Sequence, residues 1–311
     1  MSYDLNIPWP VDNYNQKPTP QQLTNLKNTI ITSYSLGITH QVINFSILET
    51  VKIPLNQPQD INPIDITYLT AELSPQFKNL KLFTRLTLII NDSSKLTGLT
   101  KLQNHFDLIA IQPLNEKALQ LTITNLDIDL ISLNLASRLP FFLKHKIIGS
   151  GIEKGIKFEI CYSSLVSGSI GYANVGNETN VNLIKKNFFS NVLQLVRATR
   201  SRGIVVSSGA TQPLQIRNSN DILVLLKTLG LDRSRAKSCI SVNPERVLVN
   251  GRLRVKSYKQ TISVGNEESS LLDNVHENPN KKQDGSGYKK KLSDSSSGRL
   301  LKKRKIDTNE K

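Results

Sequence analysis

The chain has 311 residues and two cysteines, with 40 Lys and Arg against 25 Asp and Glu, a net charge of +15. That length buries a sizeable core in one large domain or two ordinary ones, and a pair of cysteines, Cys161 and Cys239, is too few for a disulfide framework and fits a reducing compartment. No apolar run reaches the roughly 20 residues of a membrane span, and an N-terminus with Asp4, Pro8 and Pro10 lacks the regions of a secretory signal, so a soluble, unsecreted protein is expected.

The charge is unevenly spread. Residues 1–137 hold 9 Lys/Arg against 11 Asp/Glu, residues 138–265 hold 20 against 6, and residues 266–311 hold 11 against 8. A basic folded half beside a neutral one suits a polyanion, because each phosphate neutralised releases condensed counterions.

In chain order, Tyr3 to Ile7 reads as a first strand stopped by Pro8 and Pro10, with the only tryptophan, Trp9, at its carboxyl end. Thr19-Pro20 opens a helix striped by Leu23, Leu26, Ile30 and Ile31 and ended by Gly37. Val42 to Phe45 is the second strand. Ser46 to Pro75, broken by four prolines, reads as a long surface loop inserted in the domain. Phe83 to Ile90 is the third strand, and Asn91-Asp92-Ser93 caps a helix held by Leu96, Leu99 and Leu102. A fourth strand (Asp107 to Ile111), a short helix (Asn115 to Leu121) and a fifth strand (Asp127 to Leu133) follow.

Arg138 to Gly151 is expected to form a helix, and Ile156 to Cys161 a sixth strand. A Ser- and Gly-rich loop from Ser163 to Thr179 leads into the longest helix, Val181 to Arg202. The seventh strand, Ile204 to Val206, is short, apolar and β-branched, the pattern of a strand buried on both faces. An eighth is expected over Cys239 to Val242. Eight short strands alternating with helices in about 260 residues is the count of a TIM-like (β/α)8 barrel, with a doubly wound open sheet as the alternative. From residue 266 onward the composition of Ser, Asn, Asp and Lys predicts a disordered tail, in which Lys302-Lys303-Arg304-Lys305 has the form of a nuclear import signal.

The stretch from Gly203 to Leu231 concentrates chemistry. Ser207-Ser208-Gly209-Ala210 follows the seventh strand with four small residues able to turn N–H groups outward, a place where barrels cradle phosphate. Asn218 to Asp221 supplies helix-capping chemistry, and Gly230 ends the helix. The run Val206 to Ala210, then Pro213-Leu214, Ile216-Arg217, Asp221-Ile222 and Leu229-Gly230-Leu231, resembles the thirty-kilodalton protein subunit family of ribonuclease P and ribonuclease MRP. Tyr3 to Pro8 and Lys157 to Tyr162 agree with that family in the right order, and the resemblance covers roughly residues 1 to 260.

The resemblance implies a TIM-like barrel related to metal-dependent phosphoesterases. It also implies a noncatalytic subunit of two ribonucleoproteins whose RNA performs the cleavage, in precursor tRNA 5′ leader removal and ribosomal RNA precursor processing. Expected partners are ribonuclease P RNA, ribonuclease MRP RNA, a smaller αβ-sandwich subunit and the other particle subunits. No membrane is expected among them. The expected location is the nucleus and its nucleolus. No cofactor, metal or catalytic residue is expected in this chain.

The residues agree with that last expectation. Only four histidines occur, His40, His105, His145 and His276, never two close together, with His40 and His105 preceding their strands. Where a metal-binding barrel would place His after the first strand, this chain has Asp4-Leu5-Asn6. Asp4, Asp129 and Glu159 could meet inside a barrel as a magnesium site, or pair with Arg or Lys as buried charges must. A barrel phosphoesterase and a binder of phosphorylated metabolites are the alternative functions.

RNA contact is expected from four basic groups: Arg138 with Lys144 and Lys146; Arg197, Arg200 and Arg202; Arg217 with Arg233, Arg235 and Lys237; and Arg246, Arg252, Arg254 and Lys256. Ser207, Ser208 and Gly209 join them. Arginine's planar fork suits phosphate oxygens, and the scarcity of interleaved aromatics points to the backbone and shape of a folded RNA rather than to stacked bases. Phe141, Phe142, Ile147 and Ile148 are the candidates for a protein interface, with core burial as the alternative.

Overall fold

Seven strands run parallel in the order of the sequence, each hydrogen-bonded to the next. The computed structural model describes residues 2–51, 61–92, 99–167 and 180–256. The strands are β1 (Ser2–Pro8), β2 (Ile38–Leu48), β3 (Lys81–Ile90), β4 (Leu108–Pro113), β5 (Leu130–Ser132), β6 (Lys157–Cys161) and β7 (Ile204–Ser207). Between them lie α1 (Pro20–Ser35), α2 (Ile66–Leu73), α3 (Leu99–Leu102), α4 (Glu116–Asn125), α5 (His145–Glu153), α6 (Ser163–Ser167) and α7 (Val181–Thr199). After β7 come α8 (Ser219–Thr228), α9 (Arg233–Ile240) and α10 (Val242–Lys256).

The expected eighth strand does not form. Cys239 to Val242 is the end of α9 and the start of α10, and Ala236 and Cys239 are buried one helical turn apart. A short apolar run reads equally as strand or buried helix, and here the helical period prevails. The ring comes nearly closed by a different joint. Gly209 donates its N–H to the Asn6 carbonyl at 2.9 Å, and Ser208 donates its N–H to Asp4 Oδ1 at 2.9 Å. The chain just past β7 thereby grips β1.

Other boundaries shift as well. The expected 46–75 loop begins with the end of β2 and contains α2, whose N-cap Asp65 accepts from Tyr68 N and whose Leu69 and Leu73 reach the core; residues 52–60 lie outside the described residues. Four prolines had masked an eight-residue helix with a clean cap. The helix expected from Arg138 starts only at His145, because residues 138–144 run irregularly past Pro140. β5 shortens to three residues, and Ser163–Ser167 is helical. The expected cap at residues 91–93 lies partly outside the described residues; Asn91 and Asp92 donate their backbone N–H groups to Glu49 Oε2 instead. The 266–311 tail lies outside the described residues.

Besides a minor cluster of Ile38, Ala210 and Ile216, two apolar clusters form among the described residues. The larger packs the outer faces of the strands against the helices, for example Ile43, Leu86, Ile109, Phe158, Phe188 and Leu226. The smaller lies inside the ring, where Leu5, Val42, Phe83, Leu108 and Val205 meet Val247 and Leu248 of α10. α10 therefore plugs the end of the ring where the strands begin. Asn243 bonds to the carbonyl of Ile204, Arg252 pairs with Asp107 at 2.5 Å, and Arg254 pairs with Asp129 at 2.6 Å. Gly251 passes so close to the Asp107 carbonyl that a Cβ there would collide with it.

Above this plug the interior turns polar around one ion pair. Arg85 and Glu159 are wholly buried and bind bidentately, at 2.6 and 2.7 Å. Arg85 also donates to the Leu5 carbonyl and to Thr87, while Asn6 donates to Glu159 at 3.4 Å. Burial alone would raise the Glu159 pKa, but the charge of Arg85 and the hydrogen bonds it receives outweigh that and hold it below the ordinary value. Asp4 differs: burial without a cation raises its pKa to about 6, against the opposing pull of the Ser208 and Asn6 donors.

Two outcomes follow for stability. Removing one partner of a buried pair leaves an uncompensated charge, so Arg85→Met is expected to cost about 3–5 kcal/mol, whereas Arg85→Met with Glu159→Leu should recover most of it. Urea unfolding of both variants checks this. For Asp4, the raised folded pKa means that its contribution is full below the unfolded value of 3.8 and is lost as pH rises through about 6. Asp4→Asn is therefore expected to match the parent near pH 4 and to exceed it above pH 6 by up to about 3 kcal/mol. Unfolding free energies measured across that window test it, and a constant difference would contradict it.

Candidate nucleic-acid interface

The connections place the arginines. α7 leads down into β7, so its carboxyl end lies where the strands begin, on the same end of the ring as the α10 plug. Arg197, Arg200 and Arg202 are exposed there. Arg235 of α9 donates to the Arg200 carbonyl at 2.6 Å, which brings α9, with its exposed Arg233 and Lys237, against the end of α7. Arg246, exposed on α10, continues the surface toward Lys157, whose pKa is lowered by burial and by the charge of Arg246. Three sequence-distant groups thus form one basic end face. Arg200 and Ser201 both adopt left-handed backbone, φ 53° and 58°, at its edge.

Other residues expected to touch RNA lie elsewhere or are already engaged. Arg252 and Arg254 are only 14% and 7% exposed in their side chains and hold Asp107 and Asp129. The Arg217 guanidinium turns back onto the carbonyls of Leu214 and Ile216. Arg138 and Lys146 are exposed, and Lys144 pairs with Glu116. The side chain of Lys256 lies outside the described residues.

The Ser207-Ser208-Gly209-Ala210 loop does not turn its N–H groups outward. All four residues are buried. Ser208 and Gly209 donate to β1, and Ala210 donates to Ser208 Oγ. The small residues serve close packing: a Cβ on Gly209, at φ +63°, would press on Cys161 and Ser163 at 3.1 Å. For the protein-interface candidates, Phe141 and Ile148 are buried and Ile147 is partly buried, whereas Phe142 is 79% exposed.

The opposite end, where barrels usually carry chemistry, is a mouth of about 320 Å³ with an uncharged floor. That floor is a chain of amides and hydroxyls in which Asn44 donates to Asn6 Oδ1 at 2.9 Å and Thr87 donates to Asn44 Oδ1 at 2.7 Å. No group of three or more His, Cys, Asp or Glu able to hold a metal ion occurs among the described residues. The three carboxylates that might have met are each engaged separately: Asp4 with Ser208, Glu159 with Arg85, Asp129 with Arg254. His40, expected before its strand, lies within β2 and packs between Tyr3 and Phe83. Arg85 does carry a signal in the sequence, since a lone arginine inside an apolar strand marks a buried pair.

The family described as RNase P subunit p30 matches residues 1–256. The chain is 43% identical over 277 residues to the ribonuclease P/MRP protein subunit RPP1 of Saccharomyces cerevisiae, covering 89% of each chain. It is 29% identical to the probable ribonuclease P protein subunit 3 of Schizosaccharomyces pombe, over 85% of this chain and 99% of the relative. A protein chain from a cryo-EM structure of archaeal ribonuclease P with mature tRNA superposes with a TM-score of 0.55 at 15% identity, over 84% of this chain and 97% of that one, which shows a shared fold. With a family match over residues 1–256 and that identity to the budding-yeast protein, the chain belongs to the RNase P subunit p30 family.

Proposed function

We propose that this chain is a noncatalytic protein subunit of ribonuclease P and ribonuclease MRP, and that its basic end face holds the sugar-phosphate backbone of their RNA. The subunit role is supported by the identity to a ribonuclease P/MRP protein along nearly the whole of both chains. The face is supported by the convergence of Arg197, Arg200, Arg202, Arg233, Lys237 and Arg246 on one end of the barrel. Guanidinium groups there are exposed, which suits phosphate contacts that position an RNA without reading its sequence. In this reading cleavage of precursor tRNA and ribosomal RNA precursors falls to the RNA.

Further parts of the reading concern the particle. Phe142, fully presented beside Arg138 and Lys144, is the contact proposed for a smaller αβ-sandwich subunit. Nuclear and nucleolar residence follows from membership in those particles, and Lys302-Lys303-Arg304-Lys305 is the proposed import signal.

Binding of the cognate ribonuclease P RNA through about five phosphates is expected to weaken with salt at a log–log slope on the order of −4. Arg202→Ala with Arg233→Ala and Lys237→Ala should lower affinity and flatten that slope by about one for each phosphate no longer neutralised. Filter binding across a salt series measures both, and an unchanged slope would overturn the assignment of the face. Protein freed of RNA is expected to leave precursor tRNA intact, and to restore activity when added to particles lacking it; leader removal by RNA-free protein would overturn the noncatalytic reading.

A further inference from the structure

The mouth of the barrel has a chemistry of its own, at the opposite end from the arginines. Its volume of about 320 Å³ falls at the small end of ligand sites, which run to about 300–1,000 Å³. Pro8, Trp9, Pro10, Leu26 and Ile89 give it apolar walls, and Asn6, Asn44, Thr87, Gln112 and Ser132 give it a polar floor. No Lys or Arg lines it among the described residues, and its one ionisable lining residue is Asp12.

Two residues of this cavity carry a side-chain N–H that has no partner among the described residues. Trp9 is 7% exposed and Gln112 4%, and both line the mouth. Trp9 Nε1 and Gln112 Nε2 are buried with no hydrogen-bond partner among the described residues. Buried donors left unmet cost about 1–3 kcal/mol each, so a pair in one cavity points to an acceptor that arrives from outside. Both are held in place: the Trp9 backbone N–H donates to the Asn44 carbonyl at 2.7 Å, and Gln112 stands in β4 opposite Ile89. The neighbouring floor amides are already saturated by one another and by the Arg85–Glu159 pair.

The same geometry disfavours an anion. The N–H groups of residues 209–212 that rim the mouth are all taken: Gly209 by Asn6, Ala210 by Ser208, and Thr211 and Gln212 by Gln215 Oε1. With Asp12 as the ionisable lining residue, a phosphate would meet no cation and no free backbone donor among the described residues of the lining. A ligand with apolar faces and acceptors along its edge satisfies both the walls and the open donors.

We infer that the barrel mouth binds an uncharged planar heterocycle, a nucleobase or nucleoside, through Trp9 Nε1 and Gln112 Nε2. The base comes either from a free nucleoside or from an unstacked residue of an RNA strand. This site is independent of the basic face and of the subunit role, and its failure would leave both untouched.

Trp9 is the chain's only tryptophan, so its indole N–H gives a single NMR resonance that reports on the cavity directly. The full chain is titrated with adenosine, guanosine, cytidine and uridine, with their 5′-monophosphates, and with inorganic phosphate. At least one nucleoside is expected to shift that resonance saturably, its monophosphate to bind no tighter, and phosphate alone to leave it unmoved. Gln112→Ala should weaken the binding about tenfold, the equivalent of one hydrogen bond of about 1.4 kcal/mol. Trp9→Phe, followed by calorimetry, should do likewise while keeping an aromatic wall. A short single-stranded RNA that shifts the resonance and is displaced by nucleoside would identify the base as one carried by RNA; a shift by nucleosides alone would identify a free ligand. Silence from all four nucleosides, tighter binding of monophosphates, or a Gln112→Ala protein that binds as the parent does would overturn the inference.

Discussion

Seven strands form a ring here because the chain leaving β7 bonds to β1 through Ser208 and Gly209. That joint dictates much of the rest. It requires residues small enough to approach, which is why a Cβ on Gly209 would press against Cys161 and Ser163. It buries Asp4 without a cation, the origin of that carboxyl's raised pKa. It also removes from the loop the N–H groups that a phosphate would need. The missing eighth strand is replaced not at the wall but at the base, where α10 lays Val247 and Leu248 into the interior.

The two ends of the ring consequently have different electrostatics. At the base, cations outnumber the carboxylates available to pair with them, and the surplus collects on α7, α9 and α10. At the mouth, one neutralised pair lies beneath a floor of amides and hydroxyls, and Asp12 is the ionisable residue of the lining among the described residues. A barrel of this kind has its basic surface at the end that other barrels use for stability, and a cavity without a lining cation among the described residues at the end they use for catalysis.

Much of the fold was legible in the sequence because strand and helix periodicity report burial directly. β3, β6, β7, α1 and α7 follow from apolar spacing and caps, and Asn218 caps α8 as its side-chain chemistry suggests. The failures share one cause, which is that local pattern is silent about partners. Cys239 to Val242 has strand-like composition but packs by helical period. Ser207 to Ala210 has the composition of a phosphate loop, yet β1 takes its donors. Arg252 and Arg254 look like surface cations until Asp107 and Asp129, more than a hundred residues away, are seen to hold them. The basic end face was legible only as separate clusters, since the hydrogen bond from Arg235 to the Arg200 carbonyl joins segments that the sequence keeps apart.

Arg200 and Ser201 carry a last implication. Two successive non-glycine residues in the left-handed region cost about 1–2 kcal/mol apiece, and glycine would relieve that at either position. What glycine would surrender is stiffness. A bend made of side-chain-bearing residues, pinned at the Arg200 carbonyl by Arg235, holds the backbone that carries Arg200 and Arg202 in one course. If a polyanion docks on this face as proposed, less backbone entropy is left to be lost there than a glycine bend would lose.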